Sequence, residues 1–492
     1  MKLARDGRPM GRGNEQRPRS AADGAPSIRA EEEAPSSRQP DEARATEREE
    51  QREILGFEFA DRTRTPLTIL GIVPWRALWS MGVGAGATAF TRSPVALAAY
   101  GHALHLLQPW ADPVPRARFE DGEALFAGIR VHRFRAPEVF SNPRLPLPAR
   151  LWSRAWRYVV FQDLSRAAAL RIAARIHPDL ILAYDTMTVP AARRVADRLE
   201  LPLAGRYFGN TLSLGLHRRL RWYGNFMERA GFRVPVDAMV LTNDGSPALE
   251  VLRRLQVDPR PVHFLRNGLA LDRMRPGPRP VELLARLGLP DDAFVLLTAT
   301  RFHSEKHIDR AIRALAVLRR EVPNAFAVLV GDGPERQALV DLAAELGVAD
   351  AVRFPGPVRN ADLAPWYRLA DVTLSLLDRT NASNPVFEAL ACERCVVALD
   401  VGTTAEIVRD GVTGVLVPPE RLEQLPLVLA GLARDPERRA ALGRRGRELV
   451  VELCGSWEAR LRREITIYEG VARTRGVVPG NVDAGYVWRG AR

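Results

Sequence analysis

The chain has 492 residues, 46% of them apolar, which is enough for two ordinary domains with cores of their own. Its formal net charge of +12 is carried almost entirely by arginine and predicts anionic partners such as nucleotides or lipid headgroups. The sequence lacks the basic motifs interleaved with aromatic residues that are typical of nucleic-acid binding, so nucleic acid is not an expected partner. No apolar run reaches about 18 residues and the first residues have no apolar core, so we expect neither a membrane span nor a secretory signal, and a cytoplasmic location.

Residues 1–60 are rich in Arg, Glu, Pro, Ser and Gly and contain almost no large apolar residues. Such a composition buries too little surface to offset chain entropy, so the sequence predicts a disordered tail. The first domain is expected to span residues 61–275.

This domain is expected to open with a buried strand at Leu67–Pro74, followed by a glycine-rich turn that contains Gly84 and Gly86. Glycines between a first strand and a first helix allow the backbone to approach a ligand and to point N–H groups at it. The alternative is a merely flexible turn. The G-x-G-x-x-G spacing of dinucleotide sites is absent, which disfavours a nicotinamide oxidoreductase.

Residues 143–175 combine leucines, tryptophans and other aromatic residues with seven arginines. A basic helix with aromatic residues is typical of an element that lies on a membrane surface. A core helix with a solvated arginine face explains the pattern equally well, and both interpretations stay open.

Asp185 directly follows a predicted strand, Asp179–Tyr184, and precedes a predicted helix, Val189–Leu199. A side chain at the carboxyl end of a parallel strand faces the ligand crevice, where Asp185 could orient a hydroxyl group of a ligand. An aspartate in this position is as often a helix cap, so two roles remain for it.

The proline-rich run Pro276–Pro280 predicts a linker to a second domain at residues 276–455. Its strands are uniformly apolar and each is followed by a helix, which indicates an α/β fold whose parallel sheet is covered on both faces. Polar residues that end these strands should gather at one edge, where such sheets bind ligands. We expect Arg301, Lys306, the loop of Gly331 and Gly333, and Glu388 to gather at this edge.

Lys306 stands out because Lys2 is the only other lysine of the chain. A compact ammonium group can bind a diphosphate as a point charge where a planar guanidinium group would not fit. The alternative is an ordinary surface lysine beside a turn. A helix that begins near Asn384-Pro385 would add backbone N–H groups for a phosphate or for sugar hydroxyls.

Taken together, these segments resemble the donor-binding half of the family 4 glycosyltransferases. The matching segments are Arg301-Phe-His-Ser-Glu-Lys306, Val330-Gly-Asp-Gly-Pro334, Phe354-Pro-Gly-Pro-Val358, Asn384-Pro-Val-Phe-Glu388, Asp400–Glu406 and Asp410–Gly414. The resemblance implies the GT-B fold, in which two Rossmann-like doubly wound domains face a central cleft. It also implies that a terminal helix, residues 456–473, packs back on the first domain, and that residues 474–492 form a loose tail.

The same resemblance implies roles for individual residues. Glu388 would accept hydrogen bonds from the two ribose hydroxyls of a nucleotide, and backbone near Val358 would contact the base. The residues expected to take part in the reaction are Arg301, Lys306, Glu388 and Asp185. Those expected to bind the donor are Gly84, Gly86, Gly331, Gly333, Val358, Asn384 and Pro385.

One position departs from the family pattern in a way that concerns the sugar. A glutamate is usual eight positions before Glu388, where this chain has Thr380. Asp378 could substitute for it through a shifted loop, so Asp378 and Thr380 are candidate contacts of the donor sugar. Thr300, Glu393 and Cys395 also replace residues usual in the family, and these changes fit an altered donor.

We therefore expect a hexosyltransferase that moves a sugar from a nucleotide-diphosphate donor to a glycan, lipid-linked or small-molecule acceptor. Arg301 and Lys306 would serve without a metal or another cofactor, and the resemblance implies retention at the anomeric carbon. It also implies peripheral contact with the anionic inner face of the membrane. The alternatives are a nucleotide-sugar epimerase of the same fold and a catalytically silent binding protein. Cys392-Glu-Arg-Cys395 is interpreted as buried apolar packing rather than as a redox or zinc motif.

Overall fold

The computed structural model describes residues 40–74, 89–110, 124–136, 147–216, 219–243, 245–380 and 382–482. Contacts divide the chain into two compact units, Met1–Arg44 and Ala45–Arg492. Only residues 40–44 of the first unit are described. Two separate β-sheets are formed within the second unit.

The first sheet has eight strands in the described residues, in the order β3-β4-β2-β1-β5-β6-β7-β8. All neighbours are parallel except β3 and β4, which are antiparallel. The strands are β1 (Thr68–Ile72), β2 (Ala103–Trp110), β3 (Ala124–Phe126), β4 (Ile129–Arg135), β5 (Leu180–Tyr184), β6 (Leu203–Tyr207), β7 (Ala238–Thr242) and β8 (Val262–Leu265).

The second sheet has six parallel strands in the described residues, in the order β11-β10-β9-β12-β13-β14. The strands are β9 (Phe294–Ala299), β10 (Ala325–Val330), β11 (Val352–Gly356), β12 (Val372–Ser375), β13 (Cys395–Leu399) and β14 (Val415–Val417).

Helices connect these strands and cover both faces of each sheet. Within the described residues they are α1 (Pro40–Leu55), α2 (Ala89–Tyr100), α3 (Leu147–Ile176), α4 (Val189–Leu199), α5 (Arg219–Gly224), α6 (Phe226–Arg233), α7 (Ala248–Arg254), α8 (Val281–Arg286), α9 (Asp309–Leu318), α10 (Arg336–Glu345), α11 (Ala364–Leu369), α12 (Asn384–Ala391), α13 (Leu425–Arg434), α14 (Pro436–Cys454) and α15 (Trp457–Thr474).

The central strands are buried along their whole length. Every residue of β5, β9 and β13 is inaccessible to solvent or nearly so. A strand covered on both faces needs apolar residues on both, which explains why these runs are apolar without alternation. The predicted α/β architecture with parallel sheets is thus confirmed.

Each sheet has one point at which the strand order reverses. In the first sheet the chain leaves β1 towards β2 on one side and returns to β5 on the other, and in the second sheet the reversal lies between β9 and β12. The connecting loops diverge at such a point and leave a crevice at the carboxyl ends of the strands. The fold therefore offers two crevices, one in each domain.

The amino-terminal segment corrects one prediction. Residues 40–55 form α1, so the expected disordered tail at residues 1–60 is wrong for its last third. Ile54, Leu55 and Phe59 are buried in the apolar cluster on one face of the first sheet. These few apolar residues stand close together. The average composition of residues 1–60 is polar and therefore did not predict their burial.

Helix α15 lies on the first sheet, although it directly follows the last helix of the second domain. Trp457, Leu461, Ile465 and Tyr468 pack in the same cluster as the first-sheet strands. The other described members of this cluster lie at residues 54–59, in the first domain and at Val478, and none belongs to the second domain, so α15 ties the end of the chain to the first domain. The expected loose tail at residues 474–492 is wrong for its described part, because the backbone N–H groups of Val478, Gly480 and Asn481 donate hydrogen bonds to carbonyl oxygens of the first domain.

A buried carboxylate lies in the contact between α15 and the first sheet. Glu464 of α15 is 2% exposed and accepts hydrogen bonds from Ser93, Arg460 at 2.7 Å and Tyr468 at 3.0 Å. Its Oε2 also lies 3.2 Å from Nε of Arg206 on β6. Burial opposes ionisation of Glu464, but the two guanidinium groups outweigh it and hold the pKa of the carboxyl below its ordinary value.

Candidate active site

The crevice of the second domain holds the sequence-predicted cation. A small cavity of about 60 Å³ at the reversal between β9 and β12 is lined by Thr300, Lys306, Ser383 and Pro385 together with residues of both strands. Lys306 is half-buried in the short turn that precedes α9. In the described part of the chain its Nζ has neither a hydrogen bond nor an ion pair, so the ammonium group is available to an anion. Arg301, in the same loop, is exposed.

The glycines after β10 allow the neighbouring loop to pack against the segment that carries Arg301. Gly331 and Gly333 have φ of +141° and +155°. A Cβ atom would lie 1.9 Å from the carbonyl oxygen of Thr300 at the first position and 2.2 Å from that of Phe302 at the second. Both positions thus require glycine, for backbone conformation and for space. The structure brings these two glycines together with Arg301, as the chain order predicted.

Helix α12 points its first turn into the same cavity. Ser383 precedes the helix, Pro385 occupies its first turn, and both line the cavity. Asn384 is exposed, and its Oδ1 lies 3.5 Å from Nδ2 of Asn267 in the first domain. The start of a helix carries partial positive charge, so this end of α12 suits a phosphate beside Lys306.

Glu388 lies one turn further into α12 and is only 8% exposed. Its carboxylate accepts hydrogen bonds from Nδ2 of Asn360 at 2.9 Å and from the hydroxyl of Tyr367 at 2.8 Å. Burial raises the pKa of Glu388, against these two hydrogen bonds and the positive charges of Arg92 and Arg273. Each carboxylate oxygen keeps a second lone pair, so a ribose diol could still bind.

Asn360 and Tyr367 are functional candidates that the sequence analysis missed. Both hold Glu388 in place, and Val358, a predicted contact of the base, is half-buried two residues before Asn360. Lys306, α12, Glu388 and Val358 therefore lie around one end of the second sheet. Nothing near Tyr367 in the sequence indicates this role, because its partner is 21 residues away in another helix.

Asp378 and Thr380, the two candidates for the donor-sugar contact, have different partners in the structure. The carboxylate of Asp378 pairs with Nη1 of Arg310 at 2.6 Å and with Nε2 of His307 at 2.8 Å. The hydrogen bond from Arg310 is the main cause that lowers the pKa of Asp378. Its carboxylate is therefore directed to α9. Thr380 lies against Gly245 of the first domain, where an added Cβ would be 2.6 Å from Oγ1 of Thr380.

The crevice of the first domain is larger. A cavity of about 360 Å³ lies at the carboxyl ends of β1, β5 and β6 and includes Arg379 from the second domain. The lining residues are Pro74, Phe90, Arg154, Asp185, Thr186, Met187, Phe208, Gly209, Asn210, Thr211, Asn225, Met227, Glu228 and Arg379. Gly84 and Gly86, predicted to face this cleft, lie outside the described residues.

Asp185 lies in this cavity in a left-handed backbone conformation, with φ of +71°. Its Oδ1 accepts hydrogen bonds from Oγ1 of Thr186 at 3.0 Å and from the backbone N–H of Met187 at 3.2 Å. The residue that caps α4 is Thr188, so Asp185 is not the helix cap. Burial raises the pKa of the Asp185 carboxyl.

Cys392 and Cys395 are buried, and neither lies in the two crevices. Burial raises the pKa of each thiol to about 12. A thiol that stays protonated is a poor nucleophile and a poor metal ligand. Among the described residues, no group of three or more His, Cys, Asp or Glu side chains could hold a metal ion.

Comparison with known proteins agrees with this architecture. Residues 282–449 match the family described as glycosyl transferases group 1. The structure resembles sucrose-phosphate synthase from Thermosynechococcus elongatus, with a TM-score of 0.63 and 22% identity over 83% of this chain and 100% of that one. It also resembles Anabaena HepE in complex with UDP-glucose, with a TM-score of 0.57 and 17% identity over 83% and 99% of the two chains. The GT-B fold is thereby confirmed.

The curated relatives have a higher sequence identity to this chain than the two solved structures, but the match covers a shorter part of it. The D-inositol 3-phosphate glycosyltransferase of Thermobispora bispora is 34% identical over 256 residues, which are 50% of this chain and 59% of the relative. That of Saccharomonospora viridis is 36% identical over 250 residues, 49% and 57% of the two chains. The chain thus spans less than two thirds of the length of these relatives. The resemblance to glycosyltransferases drawn from the motifs is confirmed.

Proposed function

We propose that the protein is a glycosyltransferase that moves a sugar from a nucleotide-diphosphate donor to a hydroxyl group of an acceptor. The observation that carries the proposal is that Lys306 and the first turn of α12 line one cavity at a strand-order reversal, while the same helix carries the buried carboxylate of Glu388 one turn further on. Diphosphate and ribose are the two parts of a nucleotide that such groups recognise.

Breaking the bond between sugar and diphosphate develops negative charge on the leaving phosphate. Lys306 and Arg301, together with the N–H groups that begin α12, would stabilise this charge without a metal ion or another cofactor. Groups that are already oriented before the reaction lower the barrier most, because no solvent has to reorganise. We include retention at the anomeric carbon in the proposal, as the family resemblance implies.

Glu388 would bind the ribose, with Asn360 and Tyr367 holding its carboxylate, and backbone near Val358 would contact the base. Because HepE has been crystallised with UDP and UDP-glucose, a uridine donor is the first to test. The name of the curated relatives, D-inositol 3-phosphate glycosyltransferase, supports a phosphorylated cyclitol as one acceptor to test beside glycans and lipid-linked sugars.

Thermal shift with nucleoside diphosphates and their sugars tests this proposal. We expect one nucleotide series to raise the Tm, since a ligand at 100 times its Kd adds about 2.7 kcal/mol of stability. The Glu388→Gln variant should bind that nucleotide about tenfold more weakly, because a neutral amide replaces the acceptor of the ribose hydroxyls. Glu345→Gln, which changes an exposed glutamate of α10, should bind as the wild type does.

The three candidate functions differ in the step that comes after nucleotide binding. A transferase consumes donor and releases nucleoside diphosphate only with a suitable acceptor. An epimerase of this fold would convert the donor sugar without acceptor, and a silent homologue would bind without turnover. Failure of every nucleotide to raise the Tm would refute the proposal.

We further propose that the first half of α3 lies against an anionic membrane surface. Trp152, Trp156 and Val159 stand at successive turns and are 73%, 53% and 59% exposed. The helix carries six arginines and a single acidic residue, Asp163. Exposed aromatic residues with an excess of arginine are typical of helices that lie in the membrane interface. No helix in the described ranges is long and apolar enough to cross a bilayer.

Cosedimentation with vesicles tests this contact. The double variant Trp152→Ser with Trp156→Ser is expected to reduce binding to vesicles that contain phosphatidylglycerol by about tenfold or more, because two aromatic anchors are removed. Leu427→Ser, which changes an equally exposed apolar residue of α13, should leave binding unchanged. Equal binding of the double variant, or equal binding to neutral vesicles, would contradict the proposal.

A further inference from the structure

Another polar cavity of the second domain lies at the edge of the sheet opposite to the crevice that holds Lys306. Its volume is about 180 Å³. Asp371, which directly precedes β12, and Cys395, which begins β13, both line it, so the cavity lies at the amino ends of these strands. None of the roles proposed above uses this cavity.

Helix α14 packs closely against the turn that joins α12 to β13. Gly443 of α14 stands where a Cβ atom would be 2.1 Å from the carbonyl oxygen of Glu393, so the approach requires glycine at this position. Arg439 and Arg444 line the cavity from α14, and Arg394 lines it from the turn. The close packing of the two segments therefore brings three guanidinium groups to one cavity.

The two carboxylates of the lining are already paired. Asp371 pairs with Nη2 of Arg279 at 3.4 Å and with Nη2 of Arg439 at 3.2 Å. Oε1 of Glu393 lies 3.9 Å from Nε of Arg447. Arginines other than Arg394 and Arg444 thus balance both negative charges, and these two remain as surplus positive charge at the cavity.

Arg394 is half-buried, and its Nε donates a hydrogen bond to the carbonyl oxygen of Cys392 at 3.1 Å. Among the described residues, neither of its Nη atoms has a hydrogen-bond acceptor or a carboxylate partner. Burial lowers the pKa of Arg394, so the charged form carries a desolvation cost that a bound anion would offset. Arg444 is exposed, and its side chain has no hydrogen bond or ion pair to any part of the chain that the structure describes.

These groups suit a phosphate. A guanidinium group presents a planar fork of N–H donors that matches two phosphate oxygens at once. Pro436, in the first turn of the 19-residue helix α14, also lines the cavity, and the start of a helix carries partial positive charge. The volume of about 180 Å³ is smaller than the roughly 300–1,000 Å³ typical of pockets for larger organic ligands, which favours a small ligand.

We propose that this cavity binds a small phosphorylated ligand, inorganic phosphate or the phosphate ester of a small alcohol, through the guanidinium groups of Arg394 and Arg444. The site is separate from the cavity of Lys306. Helix α12 begins at that cavity and ends directly before the turn that carries Arg394. The site does not require the chain to be a transferase.

Isothermal titration calorimetry with inorganic phosphate and with glycerol 3-phosphate tests the site. Because both anions can also bind at Lys306, the titrations are made with the wild type and in a Lys306→Ala background. In that background we expect Arg394→Gln combined with Arg444→Gln to weaken binding about 10- to 100-fold, since hydrogen bonds from two charged groups are lost. Tighter binding of glycerol 3-phosphate would assign the site to phosphate esters, and tighter binding of inorganic phosphate to the free anion.

The control is Arg421→Gln combined with Arg445→Gln in the same background. It removes the same charge from two exposed arginines of the second domain outside the cavity and should leave binding unchanged. Arg444→Glu, at an exposed position, should also weaken binding at least about tenfold and keeps the test informative if Arg394→Gln does not fold. Absence of binding to the wild type, loss of all binding in Lys306→Ala alone, or unchanged affinity in the folded variants of the cavity overturns the proposal.

Discussion

Replacing Lys306 with alanine is expected to weaken binding of nucleoside diphosphates by about 10- to 100-fold and to lower turnover further. A hydrogen bond to a charged group contributes about 1.5–3 kcal/mol, which corresponds to this range. The effect on turnover is larger because negative charge on the diphosphate increases as the glycosidic bond breaks. Isothermal titration calorimetry measures the first effect, and single-turnover kinetics measure the second.

The substitution is informative because the ammonium group is not part of a structural ion pair within the described residues. Its removal should leave the Tm of the free protein unchanged. Lys306→Arg tests the geometry, since a planar guanidinium group should restore the charge without the fit in a cavity of about 60 Å³. Arg313→Ala removes an exposed charge from α9 near the same loop and should have no effect. Affinity that stays unchanged in Lys306→Ala would show that the phosphate does not bind here.

Replacing Glu464 with alanine is expected to destabilise the protein by about 3–5 kcal/mol. The substitution leaves the guanidinium groups of Arg206 and Arg460 buried without their carboxylate, and an unpaired buried charge carries a large desolvation cost. At about 2–4 °C per kcal/mol for a domain of this size, the corresponding fall in Tm is roughly 6–20 °C. Thermal unfolding followed by circular dichroism measures it.

The matched control lies on the same helix. Glu458→Ala removes a half-buried ion pair with Arg462 and should cost less than about 1 kcal/mol. The variant Glu464→Gln, which keeps hydrogen-bonding capacity but loses the charge, should fall between the two. If Glu464→Ala were no less stable than Glu458→Ala, the buried group would not anchor α15 to the first domain.

The consequence of losing this anchor extends beyond stability. Only Gly455 and Ser456 separate α15 from α14 of the second domain, and Leu269 pairs with Ser456 at this junction. Thr403 of the second domain also donates a hydrogen bond to the carbonyl oxygen of Gly245 at 2.7 Å. A displaced α15 would leave fewer contacts to hold the two crevices side by side.

The places of several candidate site residues followed from the sequence because local rules decide them. A uniformly apolar run predicts a buried parallel strand, and the residue after it lies at the ligand edge whatever the rest of the chain does. Lys306, Gly331 and Asp185 were found in this way. The start of α12 was found from Asn384-Pro385, because proline suits the first turn of a helix. The family resemblance added the role of Glu388.

Other positions depended on the tertiary structure. Asn360 and Tyr367 lie 28 and 21 residues from Glu388. The approach of α14 to Glu393 at Gly443, and the reach of Arg379 into the first domain, depend on how separate elements pack. The sequence determined which residues end each strand, since that is set by local pattern and by the geometry of a parallel sheet. Which polar side chains meet across the crevices was decided only by packing, because a hydrogen bond between distant residues leaves no periodic trace in either segment.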